Sequence, residues 1–220
     1  MAGSWELRQA NQVLVGILHC DLTSIAWAFG LKNLQIPGRI APASGMPFDH
    51  ARNALCEATL RGGFDYCFFL DSDVIPPNDT ILRLMSHNLP LVSGVYHRRS
   101  PPHGIPVMLK GGSWIMQYPP NALIEVDYVG AGCLLMRRDL LEKMAAHPIA
   151  PERGKVWFDW RVDNAANLPQ GEALSEDFAM NLHVRRNLGI KVMVDTSIQC
   201  RHVGLGEATY NNLQPCQAVA

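Results

Sequence analysis

A chain of 220 residues is long enough to bury a core without disulfides or metal, and 48% hydrophobic with 18% charged residues is a globular balance. The net charge of −1 supplies no general attraction to nucleic acid or to an anionic membrane, and no stretch approaches the ~18 apolar residues of a membrane helix. Six scattered cysteines (Cys20, Cys56, Cys67, Cys133, Cys200, Cys216) form no Cys-x-x-Cys pair, which gives no sign of zinc and suits free thiols in a reducing compartment. The opening Met-Ala-Gly-Ser-Trp-Glu lacks a basic region followed by an apolar one, so a soluble, cytoplasmic protein without a transmembrane segment is expected.

Residues 13–18 read as an apolar strand. Thr23 or Ser24 is placed to cap a helix through Leu34, whose Ile25, Ala28, Phe29 and Leu34 fall on one stripe. His19 and Asp21 lie just past the strand, where an α/β nucleotide site takes contacts to base or ribose, although an ordinary loop looks the same. Residues 39–42 make at most a short second strand. Asp49 is expected to cap a helix that ends at Gly62-Gly63. Arg52 in its first turn opposes the helix dipole by roughly 0.3 to 1 kcal/mol, so it should face an anion, either Asp49 or a nucleotide phosphate.

The run from Tyr66 to Pro77 is the centre of the chain. Uninterrupted hydrophobes mark a strand covered on both faces, as in a parallel α/β sheet, where ligands gather at the carboxyl ends of the strands. Side chains alternate along a strand, so Asp71 and Asp73 are expected to point the same way and Ser72 the opposite way. Two adjacent carboxylates repel unless a counter-charge joins them, and a hard divalent cation that also holds phosphate oxygens suits the place. A capped helix or a solvated turn is the ordinary alternative.

Asn78 or Asp79 then caps a helix to about His87, and residues 91–96 form a strand leading into the basic cluster at residues 97–103. Gly111-Gly112 marks a turn, and residues 122–129 alternate as one half-buried strand. Gly130-Ala131-Gly132 allows a close backbone approach, residues 133–136 form a buried strand, and Asp139 caps a helix through Ala146. The loop over residues 148–171 carries Trp157-Phe158-Asp159-Trp160, aromatics that either stack on a ligand or plug into the core. Ser175 caps a last helix that Gly189 ends at C′, with Glu176 and Asp177 in the first turn. Residues 190–194 form the final strand, and His202 ends the apolar segment after it.

In this order the motifs resemble the GT-A glycosyltransferases, especially small bacterial and phage members similar to family 2, over about residues 13–204. The resemblance implies a single-domain, Rossmann-like α/β fold with a mixed, mainly parallel sheet flanked by helices, and residues 205–220 as a loose tail. It implies a metal-dependent enzyme that moves a sugar from a nucleoside diphosphate, UDP or GDP, to an acceptor hydroxyl, with Mn²⁺ or Mg²⁺. By the same resemblance Asp73 binds the metal, Asp71 lies near the ribose or metal, and His202 is the carboxyl-terminal metal-binding histidine. Asp177, with Glu176 beside it, falls where inverting members keep their base, and Arg52 matches a donor-phosphate contact. The first two strands lack the acidic residue with which many members grip uracil. A glycan, a protein side chain, a small metabolite or a nucleic-acid base would each serve as acceptor. Two rivals share parts of the pattern, a haloacid-dehalogenase-like phosphatase and a non-catalytic sugar-nucleotide-binding module.

Overall fold

The computed structural model describes residues 12–19, 22–98, 104–160, 168–169, 174–203 and 209–210. The described residues begin with β1 (Val13–Leu18), α1 (Ile25–Asn33), β2 (Gly38–Ala43), α2 (Phe48–Arg61), β3 (Tyr66–Asp71), β4 (Val74–Ile75), α3 (Thr80–Ser86) and β5 (Leu91–Val95). They continue with β6 (Met108–Lys110), β7 (Ser113–Trp114), β8 (Leu123–Val126), β9 (Tyr128–Val129), β10 (Cys133–Arg137) and α4 (Arg138–Ala146). The last elements are α5 (Glu176–Arg186), β11 (Val192–Gln199), β12 (Arg201–Val203) and β13 (Thr209–Tyr210).

Seven strands form the central sheet in the order β2-β1-β3-β10-β5-β11-β8. Parallel pairing of β2, β1 and β3, and of β5 with β11, sets five strands in one direction, while β10 and β8 run against their neighbours. Alternate side chains of β3 feed two cores. Cys67 and Phe69 pack under α2, α4 and α5; Phe68 and Leu70 pack under α1 and α3. The fold is therefore a mixed α/β sheet flanked by helices, as the sequence predicts. Cys56, Cys67, Cys133 and Cys200 are free and buried, and burial pushes the Cys67 thiol up to about 12.

Several local expectations are corrected. Helix α1 does not dock through its Ile25–Phe29 stripe, because Ile25 is 77% and Phe29 58% exposed. Trp27 is the buried anchor, its larger ring filling the interface and its indole Nε1 donating to the Asp71 carbonyl at 3.0 Å. Strand β2 is a full six-residue edge, where Pro42 is tolerated. Pro47, not Asp49, stands at the N-cap of α2, and Asp49 lies buried in the first turn. Likewise Arg137 is the N-cap of α4, with Asp139 in its first turn. Strand β3 stops at Asp71; Ser72 and Asp73 turn, and β4 joins a separate sheet with β12 and β13. The expected strand at residues 122–129 breaks at Asp127, whose carboxylate accepts the Gly111 amide and pairs with Arg185. Asn187 is the C-cap of α5, with the positive-φ Gly189 two residues later. Residues 195–197 belong to β11 instead of following it.

Candidate active site

The carboxyl ends of the parallel strands share one edge of the sheet, and the reversed β10 brings the residues before Cys133 to that same edge. There the Asp71 amide donates to the Gly132 carbonyl at 3.2 Å. Asp71 closes β3, and its Oδ1 accepts from Arg52 Nη2 at 3.2 Å. Arg52 reaches in from α2, 3% exposed, and its other terminal nitrogen bonds Glu176 at the start of α5. Its partners are thus Asp71 and Glu176, with Asp49 facing Arg153 and His50 instead. The guanidinium also lies over the rings of Phe48 and Phe158, 5.9 and 5.8 Å from their centroids.

The turn after Asp71 aims the next carboxylate elsewhere. Its shape is set by Ser72, whose amide donates to the Leu18 carbonyl and whose carbonyl accepts from Thr23. Asp73 Oδ2 lies 3.3 Å from His202 Nε2. Pairing of β12 with β4 sets His202 opposite Val74, and the Val203 amide donates to the Asp73 carbonyl at 2.7 Å. His202 Nδ1 lies 2.6 Å from the His97 carbonyl oxygen. A carbonyl can only accept, so Nδ1 carries a proton, and in the neutral ring the lone pair sits on Nε2, facing a carboxylate oxygen.

Asp177 stands across the site. Its Oδ2 accepts the Ala131 amide at 3.2 Å, and its Oδ1 accepts from Phe178 N and from the Ser175 hydroxyl. The two glycines around Ala131 let Tyr96 and Asp71 come close. A Cβ on Gly130 would lie 1.9 Å from Tyr96 Oη, and one on Gly132 3.1 Å from Asp71 Oδ2. Tyr96 is the residue that no spacing in the sequence announces. Its hydroxyl accepts the Gly132 amide at 3.1 Å and its ring meets that of His202 edge to face. An apolar strand that ends in a tyrosine, a buried body with a polar tip, was the available signal.

Burial governs the charges. It raises the Glu176 carboxyl to about 7, with Asp177 pushing the same way and Arg52 opposing. Burial also raises Asp71 against the pull of Arg52, although a 30% exposed side chain keeps part of its water. For Arg52, burial works against the charge, and Asp71 and then Glu176 outweigh it, so its pKa ends above the ordinary value. Burial, then Asp177, holds the Tyr96 phenol well above its ordinary value and therefore protonated.

Among the described residues no group of three His, Cys, Asp or Glu side chains is arranged to hold a metal ion. Asp73 and His202 come together, while Asp71 is held by Arg52. Asp73 Oδ2 and His202 Nε2, 3.3 Å apart, are a carboxylate and an imidazole, donor types that ligate divalent cations. His19 follows β1 and its amide donates to the Ala43 carbonyl. Asp21 and residues 99–103 lie outside the described residues. Of the basic run, His97 is buried and Arg98 stacks on Trp114. A cavity of about 430 Å³ lies to one side, between α1 and Pro76-Pro77, lined by Phe29, Gly30 and Arg201 and by none of the acidic residues above.

Sheet order and flanking helices define a single-domain, Rossmann-like α/β fold. Among solved structures, the chain is similar to A197 from STIV, with a TM-score of 0.62, 16% identity, and 91% of this chain and 90% of that chain covered. That likeness is one of fold. A glycosyltransferase involved in the glycosylation of the major capsid of PBCV-1 aligns over 80% of this chain and 75% of its own at 16% identity, with a TM-score of 0.34, too low to establish a shared fold. No family model matches the chain, and no curated protein matches it. Among the described residues no helix is long and apolar enough to cross a membrane.

Proposed function

We propose that the protein is a glycosyltransferase that moves a sugar from a nucleoside-diphosphate sugar, UDP or GDP, to an acceptor hydroxyl. The observation that carries this reading is the facing pair, Asp73 Oδ2 and His202 Nε2, at 3.3 Å with the other imidazole nitrogen committed to a carbonyl. Two lone pairs so close repel unless a proton or a cation stands between them. Asp73 and His202 would hold Mn²⁺ or Mg²⁺, which when bound neutralises charge on a leaving diphosphate.

The remaining roles belong to side chains. Arg52 and Glu176 neutralise each other in the core and fix the first turn of α5, which leaves Asp177 as the base. Asp177 takes the proton of the acceptor hydroxyl; the acceptor oxygen bonds to the anomeric carbon as the bond to the diphosphate breaks, with inversion. A positioned base contributes about 10² to 10⁴ in rate. Arg52 acts on the donor through Asp71, beside the ribose. Among the described residues Cys56, Cys67, Cys133 and Cys200 are free and buried, which supports a reducing, cytoplasmic setting.

The test is thermal unfolding with UDP, GDP, CDP, dTDP and ADP, each with Mn²⁺, Mg²⁺ or chelator. A nucleotide at a hundred times its Kd adds roughly 2.7 kcal/mol, or about 5 to 10 °C for a chain of this size. One nucleotide should shift the midpoint in a metal-dependent way, and Asp73→Ala should abolish the shift. Asp177→Asn should keep the shift and lose transfer. A folded protein that responds to none of the nucleotides refutes the reading.

A further inference from the structure

Beside the acidic centre, two aromatic side chains stand in solvent. Phe48 opens α2 and is 60% exposed; Trp160 is 52% exposed, although Trp157 and Phe158 just before it are buried. One guanidinium relates them. Arg153 bonds Asp159, the neighbour of Trp160, and its Nη2 lies 3.8 Å from Asp49 Oδ2, the neighbour of Phe48. The same nitrogen is 3.0 Å from His50 Nε2. Arg153 thus ties together the chain neighbours of Phe48 and Trp160, and Arg153 and His50 keep 41% and 54% of their side chains in water.

This group is anchored firmly. The Asn53 amide accepts from Trp157 N and Phe158 N and donates to Phe158 O, at 2.8, 2.9 and 2.8 Å, which ties the aromatic segment to α2. It also adjoins the chemistry, since the Phe48 ring covers Arg52, which holds Asp71 and Glu176. Its charges, Arg153 against Asp49 and Asp159, do not favour a polyanion. Aromatic faces with planar hydrogen-bonding groups nearby match a ring whose C–H face is apolar and whose rim carries hydroxyls.

We propose that Phe48 and Trp160, with Arg153 and His50, form the acceptor subsite and take an uncharged pyranose ring. The proposal rests on the glycosyltransferase reading, and the two fail separately. The experiment is saturation-transfer NMR of the whole protein with the methyl glycosides of glucose, galactose, mannose and N-acetylglucosamine. Each is run alone and with the metal and whichever nucleotide raises the melting temperature, and alone if none does. At least one sugar should bind, and Phe48→Ala and Trp160→Ala should each weaken it about three- to tenfold, Trp160→Ala leaving any metal-dependent nucleotide shift unchanged. Both side chains are exposed, so the variants should fold; Phe48→Tyr and Trp160→Phe should recover most of the binding. No sugar bound by a protein that binds nucleotide, or binding indifferent to both alanine variants, overturns the subsite and leaves the donor site standing. Sugar binding lost in the variants of a protein that binds no nucleotide keeps the subsite and removes the enzyme reading. Displacement of the sugar by oligo(dT) would overturn the preference for a neutral ring.

Discussion

Replacing Arg52 by methionine keeps most of the side-chain volume and removes the charge between Asp71 and Glu176. The guanidinium is 4% exposed, Glu176 6% and Asp71 30%, so the loss falls mainly on the Glu176 side. Breaking a buried pair by removing one partner costs about 3 to 5 kcal/mol, which for 220 residues lowers the midpoint by roughly 6 to 20 °C. The cost must depend on pH. Glu176 titrates near 7 in the fold against an ordinary 4.5, so between those values the folded state holds a proton that the unfolded chain has released. Its contribution is complete below about pH 4.5 and is lost as pH rises through 7. Without Arg52 that pKa climbs further, and the penalty of Arg52→Met should be small at pH 5.5 and full at pH 8. Urea denaturation of wild type, Arg52→Met, Glu176→Gln and the double variant at both pH values measures this. Equal penalties at the two pH values, or strict additivity of the two substitutions, would show that the pair is not coupled as described.

Two other perturbations address the supports of the site. Gly130→Ala should destabilise by about 1 to 3 kcal/mol because its Cβ would meet Tyr96 Oη at 1.9 Å, and Tyr96→Phe in the same chain should recover part of the loss; a simple sum in urea melts would contradict the steric account. Asn53→Ala strips three hydrogen bonds from the backbone of Trp157 and Phe158, at about 1 to 3 kcal/mol for each group left buried and unpaired. Asn53→Asp keeps the two acceptor bonds and should fall between; amide exchange at Trp157 and Phe158 no faster in Asn53→Ala than in wild type would dismiss the clamp.

The strands that line the core were legible because a strand buried on both faces must be written in continuous hydrophobes, and Cys67-Phe68-Phe69-Leu70 admits little else. Asp71 and Asp73 stood out as carboxylates closing an apolar run, whereas Asp177 and His202 were marked by the resemblance, since the first turn of a helix and the end of an apolar segment hold such residues without any function. What periodicity could not tell was which of them meet. Asp71 and Asp73 are two positions apart, yet the turn at Ser72 sends one to Arg52 and the other to His202. The partner of Arg52 on α5 lies 124 positions away, beyond the reach of any local pattern. Helix α1 misled for a different reason. Almost every residue in it is apolar, so stripe and anchor look alike until Trp27 finds the Asp71 carbonyl.

The place of β10 bears on how the chain is made. Strands β3 and β5 emerge from the ribosome early, joined by α3, yet they are not neighbours; β10, which separates them, is translated about forty residues after β5. Until then Cys67–Leu70 on one side and Leu91–Val95 on the other present bare, apolar edges across a gap two strand spacings wide, about 10 Å. A nascent chain from which Val95 has emerged and Cys133 has not therefore displays a ready template for pairing with another chain, and the arrival of one five-residue strand closes both edges together.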